Sequence, residues 1–155
     1  MPNLDQCIVD QCKASWEEDF LKGTLNKNNC SGFVKSVAGK LGVPLPATAN
    51  ADGIVDAISG SWKKLADGAT AAREAAAGNF VIVGLKGPDH TPARNNGHVG
   101  IVVSGALYRG LYPMMWCGSI GQAQSQGDKS VGEVWSRADR DNVGYYEYGV
   151  QVCKT

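Results

Sequence analysis

The chain has 155 residues, enough for one domain with a sizeable core and no need of metal or disulfide staples. Hydrophobic residues make up 43% and charged residues 19%, a balance that excludes a disordered or fibrous chain. Fifteen basic side chains meet fifteen acidic ones, so there is no electrostatic footprint for nucleic acid, and no apolar run approaches the roughly 20 residues that span a bilayer.

The start, Met1 to Cys7, has no basic region, apolar run or small-residue cleavage site, so no secretory leader is expected and the chain reads as made in the cytoplasm. Leu4 to about Leu21 predicts a first helix, with Leu4, Cys7, Ile8 and Cys12 on one face. Gly23 and the polar run Thr24–Asn29 break it. A second helix starts after Asn28 or Asn29, both good N-caps, and runs through Phe33, Val34, Val37 and Leu41 to Gly42, with Pro44 just beyond. Ile54, Val55, Ile58, Trp62 and Leu65 repeat at helical spacing and predict a third helix over about Asp52–Ala66. The Ala-rich Thr70–Ala77 predicts a short fourth.

From Gly78 the pattern turns to strands. Phe80–Leu85, Val99–Val103 and Pro113–Cys117 are apolar, β-rich runs. Gly118–Ser130 reads as a surface loop. Val131–Trp135 and Val143–Val152 predict two more strands, joined by a solvated charged turn carrying Asp139, Arg140 and Asp141. Helices first and strands after predict an α+β fold with an antiparallel sheet, and residues 1–155 read as one domain without repeats.

Two residues carry the candidate chemistry. Cys30 follows Asn29 at a helix start, where unpaired amides and the helix dipole favour a thiolate. Residues 30, 33, 34, 37 and 41 share a face, so the thiol points toward whatever the helix packs on. His98 opens a strand, and alternation puts His98, Gly100 and Val102 on one face, with Gly100 leaving room for a helix to approach. A Cys–His pair across that contact would attack an amide carbonyl and protonate the leaving amine, with the Cys30 N–H as oxyanion donor. Spacing alone leaves the alternative open that Cys30 is a small buried core residue.

The segments Asn29–Val34 and Gly97–Val102 together resemble the paired motif of NlpC/P60 cysteine peptidases. Nearly the whole chain resembles the type VI secretion amidase effectors of family 1, through Leu4–Val9, Asn28–Val34, Trp116–Ile120 and Val131–Asp141. The resemblance implies a papain-like NlpC/P60 fold with N-terminal helices packed on an antiparallel sheet. It implies a peptidoglycan D,L-endopeptidase, cleaving between γ-D-glutamate and meso-diaminopimelate, with Cys30 as nucleophile, His98 as base and no cofactor or metal. It also implies delivery by the type VI secretion machinery into the periplasm of a target bacterium and a cognate immunity protein, which reconciles action outside the cytoplasm with the missing leader. Other readings are a cysteine hydrolase cutting another peptidoglycan amide (N-acetylmuramoyl-alanine or a crosslink), an acyl transferase, or a wall-binding protein without turnover.

Such peptidases orient the base with a polar residue on the strand after the histidine. Here Cys117 stands near that place, and a backbone carbonyl is the alternative. Trp116 beside it and Ser31 beside Cys30 are candidate substrate contacts, Ser31 also serving the helix start. The long loop Lys86–Asn96 reads as a wall of the substrate groove or as a surface insertion. His90 within it reads as exposed and outside catalysis. An oxidising periplasm would allow Cys7 or Cys12 to meet Cys153, with Cys7–Cys153 the favoured pair.

Overall fold

The computed structural model describes residues 3–121 and 123–154. Met1, Pro2 and Gln122, which belong to the expected leaderless start and surface loop, and Thr155 lie outside the described residues. The fold is α+β, with helices set on an antiparallel sheet.

Helix α1 is Gln6–Trp16 and buries Ile8, Cys12 and Trp16. It stops well short of Leu21. The segment expected to prolong it instead makes a small hairpin of β1, Asp19–Leu21, and β2, Thr24–Leu25, turning at Gly23 with φ +83°. Helix α2, Cys30–Lys40, is capped by Asn29, whose side chain accepts from the Gly32 amide at 2.7 Å. Helix α3 is Ala51–Ser59, capped in the same way by Asn50. The periodicity that carried it on to Ala66 breaks at Gly60, and Lys63–Leu65 becomes strand β3. Helix α4 is Gly68–Ala76, started by Asp67 bonding the Thr70 amide at 2.8 Å.

The remaining strands are β4, Val81–Leu85, β5, His98–Val102, β6, Met114–Cys117, β7, Ser125–Ser130, and β8, Gly144–Glu147. They join β3 in a six-stranded antiparallel sheet of order β3-β8-β4-β5-β6-β7. Two sequence expectations change here. Ser125–Ser130, expected as loop, is an edge strand. Its polar residues suit a sheet margin, where charge and polarity discourage pairing with another chain. Val131–Trp135, expected as a strand, holds the short helix α5, Val131–Val134; Glu133 accepts from the Ser130 amide at 2.9 Å, one half of a capping box.

Register sorts the core into two layers. Ile82, Ile101, Trp116 and Tyr146 lie across from one another and pack with Phe33, Val37, Ile54 and Ile58 from α2 and α3. Val83, Val102, Met115 and Tyr145 face the other way, toward Ala71, Ala75, Val131 and Trp135. Each buried aliphatic or aromatic side chain contributes about 1.5–3 kcal/mol, so the first layer fixes the sheet relative to α2.

Both chain ends are tied down. Cys7 and Cys153 form a disulfide with Cα atoms 5.8 Å apart. Asp5, 4% exposed, accepts from the Ser104 amide at 2.7 Å and its hydroxyl at 3.0 Å. Among the described residues no helix is long and apolar enough to cross a membrane.

Candidate active site

Cys30 begins α2 because Asn29 ends the preceding turn in an extended conformation, φ −150° and ψ 116°, and caps the helix. The strand β5 begins at His98 because Gly97 lets the chain pass tightly between Asp52 and the Leu85 carbonyl, where a Cβ has no room. Cys30 and His98 both line one cleft of about 310 Å³, together with Asn29, Ser31, Asn96 and Ser119.

The geometry of that meeting differs from the sequence expectation. His98 pairs with Leu85 and shares its face of the sheet, whereas α2 packs on the Val99, Ile101 and Val103 face. The two groups therefore meet at the end of β5 and not across the helix–sheet contact. Gly100 makes room for Met115 and Cys117, not for the helix. Its Cβ would fall on the Met115 side chain and within 3.1 Å of Cys117 Cβ.

Electrostatics also differ. Burial pushes the Cys30 thiol above its ordinary value of 9, although the backbone amides of Val99, Ser31 and Cys30 pull the other way; Asp52 adds to the rise. The helix start supplies the expected amides, but desolvation outweighs them. Burial lowers the His98 imidazole to about 4, helped by His90 and Arg94. At neutral pH the pair therefore rests as neutral thiol and neutral imidazole.

A network holds the thiol's approach in place. The Gln124 side chain donates to the carbonyls of Lys27 at 2.7 Å and Ser119 at 2.8 Å, and the Ser119 amide donates to Lys27 at 2.9 Å. Gly118 packs against the Asn26 and Asn29 carbonyls so closely that a Cβ would collide with both. On the far side, Asp52 accepts from the Gly87 amide at 2.9 Å and anchors the loop that leads to His98. Glycine in a Gly/Ser-rich stretch gave no local sign of the Gly118 contact, and nothing in the sequence marked Gln124 or Asp52.

The other candidate residues fall as follows. Ser31 lines the cleft, and its hydroxyl donates to Asn29 at 2.8 Å. Cys117 is fully buried, and its thiol donates to the Ala123 carbonyl at 2.9 Å; burial raises its pKa, with Cys30 adding to the rise. Trp116 is 5% exposed and packs against Trp16 and Phe33 in the core, away from the cleft. His90, expected as exposed, is 4% exposed, with Nδ1 bonded to the Lys86 carbonyl at 2.9 Å. Asp139, expected in a solvated turn, is completely buried, accepting from the Thr91 amide at 2.7 Å and the Ser136 hydroxyl at 3.0 Å. It thereby pins the long loop before His98 to the turn after α5.

An α+β fold that opens a helix-terminal thiol and a strand-end imidazole onto one cleft carries the two groups that thiol-based acyl transfer uses. The chain is 57% identical over 155 residues to the peptidoglycan amidase Tse1 of Pseudomonas aeruginosa, covering 99% of this chain and 96% of that protein. It belongs to the family of that amidase. No protein-family model matches the chain.

Proposed function

We propose that this protein is a cysteine amidase of papain-like NlpC/P60 type that hydrolyses the γ-D-glutamyl–meso-diaminopimelate bond of peptidoglycan stems. The observation that carries this is the shared cleft of Cys30 and His98, in a chain 57% identical to a peptidoglycan amidase. Cys30 is the nucleophile and His98 its base. Because both rest neutral, the imidazole takes the thiol proton as sulfur adds to the amide carbonyl. The negative charge that develops on the carbonyl oxygen is met by backbone N–H groups at the start of α2. Collapse of that intermediate returns the proton to the leaving amine and leaves a thioester on Cys30. Water, deprotonated by His98, then releases the acid and restores the thiol.

Ser31 supports the site through Asn29 and by lining the cleft. Cys117 backs the wall behind Gly100 and is the third residue of the constellation by position, its thiol bonded to the Ala123 carbonyl and not to the imidazole. The chain acts as an antibacterial effector, delivered by a type VI secretion system to the periplasm of a target cell and countered in its producer by an immunity protein. The family relationship is what supports that assignment.

Digestion of purified diaminopimelate-type peptidoglycan, with mass spectrometry of the products, tests the reaction. Fragments ending in D-glutamate, absent with Cys30→Ala, are expected. Cleavage at the N-acetylmuramoyl-alanine bond or a crosslink would move the specificity, and intact stems would remove the enzyme.

A further inference from the structure

A second cavity, also of about 310 Å³, adjoins the Cys30–His98 cleft and shares Asn96, Gly97, His98 and Ser119 with it. Its other walls include the donor side chains of Trp135 and Arg94. Trp135 and His90 line it, each 4% exposed, and Trp135 Nε1 and His90 Nε2 are buried with no hydrogen-bond partner among the described residues. An indole N–H can only donate, so a buried one without an acceptor costs free energy until something fills the place. His90 gives its Nδ1 hydrogen to the Lys86 carbonyl.

Arg94 stands at the mouth. Its backbone is fixed by donation to the Gly87 carbonyl at 2.8 Å, and its guanidinium makes no ion pair among the described residues. No acidic side chain among the described residues lines this cavity. Asp139, whose charge acts on His90 and Arg94, lies behind it with its oxygens taken by Thr91 and Ser136. The donors are thus left for a ligand.

We propose that this cavity is a carboxylate subsite, in which Arg94 and Trp135 hold a free carboxylate of the substrate next to the amide presented to Cys30. The assignment rests on the amidase reading above and names the recognition that reading lacks. A γ-glutamyl amide leaves the α-carboxylate of D-glutamate free, and the diaminopimelate side carries carboxylates of its own. The chemistry is the same from either side. Arginine suits it because its planar fork matches a carboxylate in two parallel hydrogen bonds.

Steady-state kinetics on the tripeptide L-alanyl-γ-D-glutamyl-meso-diaminopimelate test this in three forms: with all carboxylates free, amidated at D-glutamate, and amidated at diaminopimelate. One amidated form should show a KM raised about tenfold, the loss of one charge-assisted contact. Which form suffers names the side. Arg94→Ala, or Arg94→Gln, should raise the KM of the free peptide by a similar factor and leave the affected amide no worse than before. Equal KM values for all three forms, with turnover intact, would overturn the subsite and leave the amidase standing. Calorimetry of the same peptides with Cys30→Ala separates the reverse case. Carboxylate-dependent binding there, without turnover by the native chain, would keep the subsite and sink the amidase.

Discussion

The imidazole of His98 sits edge-on to the indole of Trp135, with ring centroids 5.1 Å apart and planes at 65°. This packing matters because His98 Nε2 is buried with no hydrogen-bond partner among the described residues, and the Cys117 thiol donates to Ala123 instead. An imidazole whose Nε2 has no such partner is held in place by packing. Trp135 is itself fixed at the end of α5, where its amide donates to the Val131 carbonyl at 3.1 Å.

Trp135→Ala should therefore lower kcat by about 10- to 100-fold, the size of effect that a small misplacement of a reacting group produces. Trp135→Phe, which returns a ring to the same place, should recover most of the loss in kcat. A merely structural role would show instead as lost stability in both variants, with kcat per folded molecule unchanged. Kinetics and urea melts on the same samples separate the two.

The pH behaviour follows from the neutral resting pair. His98 stays unprotonated until about pH 4, so amidase activity should persist at pH 5.5, where an ordinary imidazole is about nine-tenths protonated. The Cys30 thiol, raised above 9 by burial, should react with iodoacetamide more slowly at pH 7 than a free thiol does. Half-maximal alkylation below pH 8 would contradict this. Stability carries the same signature. The unfolded chain binds the His98 proton below about 6.5 and the native chain does not, so stability falls as pH drops from 6.5 toward 4. Each unit costs about 1.4 kcal/mol. Between pH 7 and 5 the native chain should lose about 2 kcal/mol more than His98→Gln does, read from urea melts.

Helix α2, with Asn29 as cap, was legible from local chemistry alone, because an Asn before an apolar 3.6-residue period has few other meanings. The strands β4, β5 and β6 were legible from their short apolar, β-rich runs. What escaped was polar or short. Strand β7 has no apolar alternation, since only its two end serines are buried. Helix α5 is announced by Ser130 and Glu133 three apart, but its β-branched residues also fit a strand. That Cys30 and His98 would come together was legible, and they line one cleft, yet alternation along β5 could not tell which face α2 would take. The burial of His90 and Asp139 depends on the long loop folding back onto the turn after α5, a contact between residues 48 apart that no local pattern encodes.

Gly118 gives a third test. It lies where the strand β6 ends, pressed on the carbonyls of Asn26 and Asn29 just before Cys30. Backbone on the other side cannot swing away as a side chain can, so Gly118→Ala must move one of the two segments. The Ser119–Lys27 and Gln124–Lys27 hydrogen bonds would be disturbed with it. We expect kcat to fall by about tenfold or more, with secondary structure retained by circular dichroism. Unchanged turnover in Gly118→Ala would show that the 26–29 segment need not be held for catalysis.

The disulfide sets stability without touching the cleft. Cys7 lies on α1 and Cys153 near the chain end, 146 residues apart, so the bridge restrains almost the whole unfolded chain. Its surroundings are already ordered: the amides of Val152 and Cys153 donate to the Gly78 carbonyl at 3.1 and 3.0 Å, and Leu4 donates to Ala76 at 2.8 Å. Loop-closure entropy for so long a loop is worth about 5 kcal/mol, and measured losses for native bridges run about 2–5 kcal/mol. Replacing both cysteines with serine should lower stability by that amount and the melting midpoint by roughly 5–15 °C. Turnover per folded molecule well below the melting midpoint should hold, because neither residue lines the cleft. Identical melts for the native and doubly substituted chains would mean that the hydrogen bonds at Gly78 and Ala76 secure both termini by themselves, and that the bridge is dispensable.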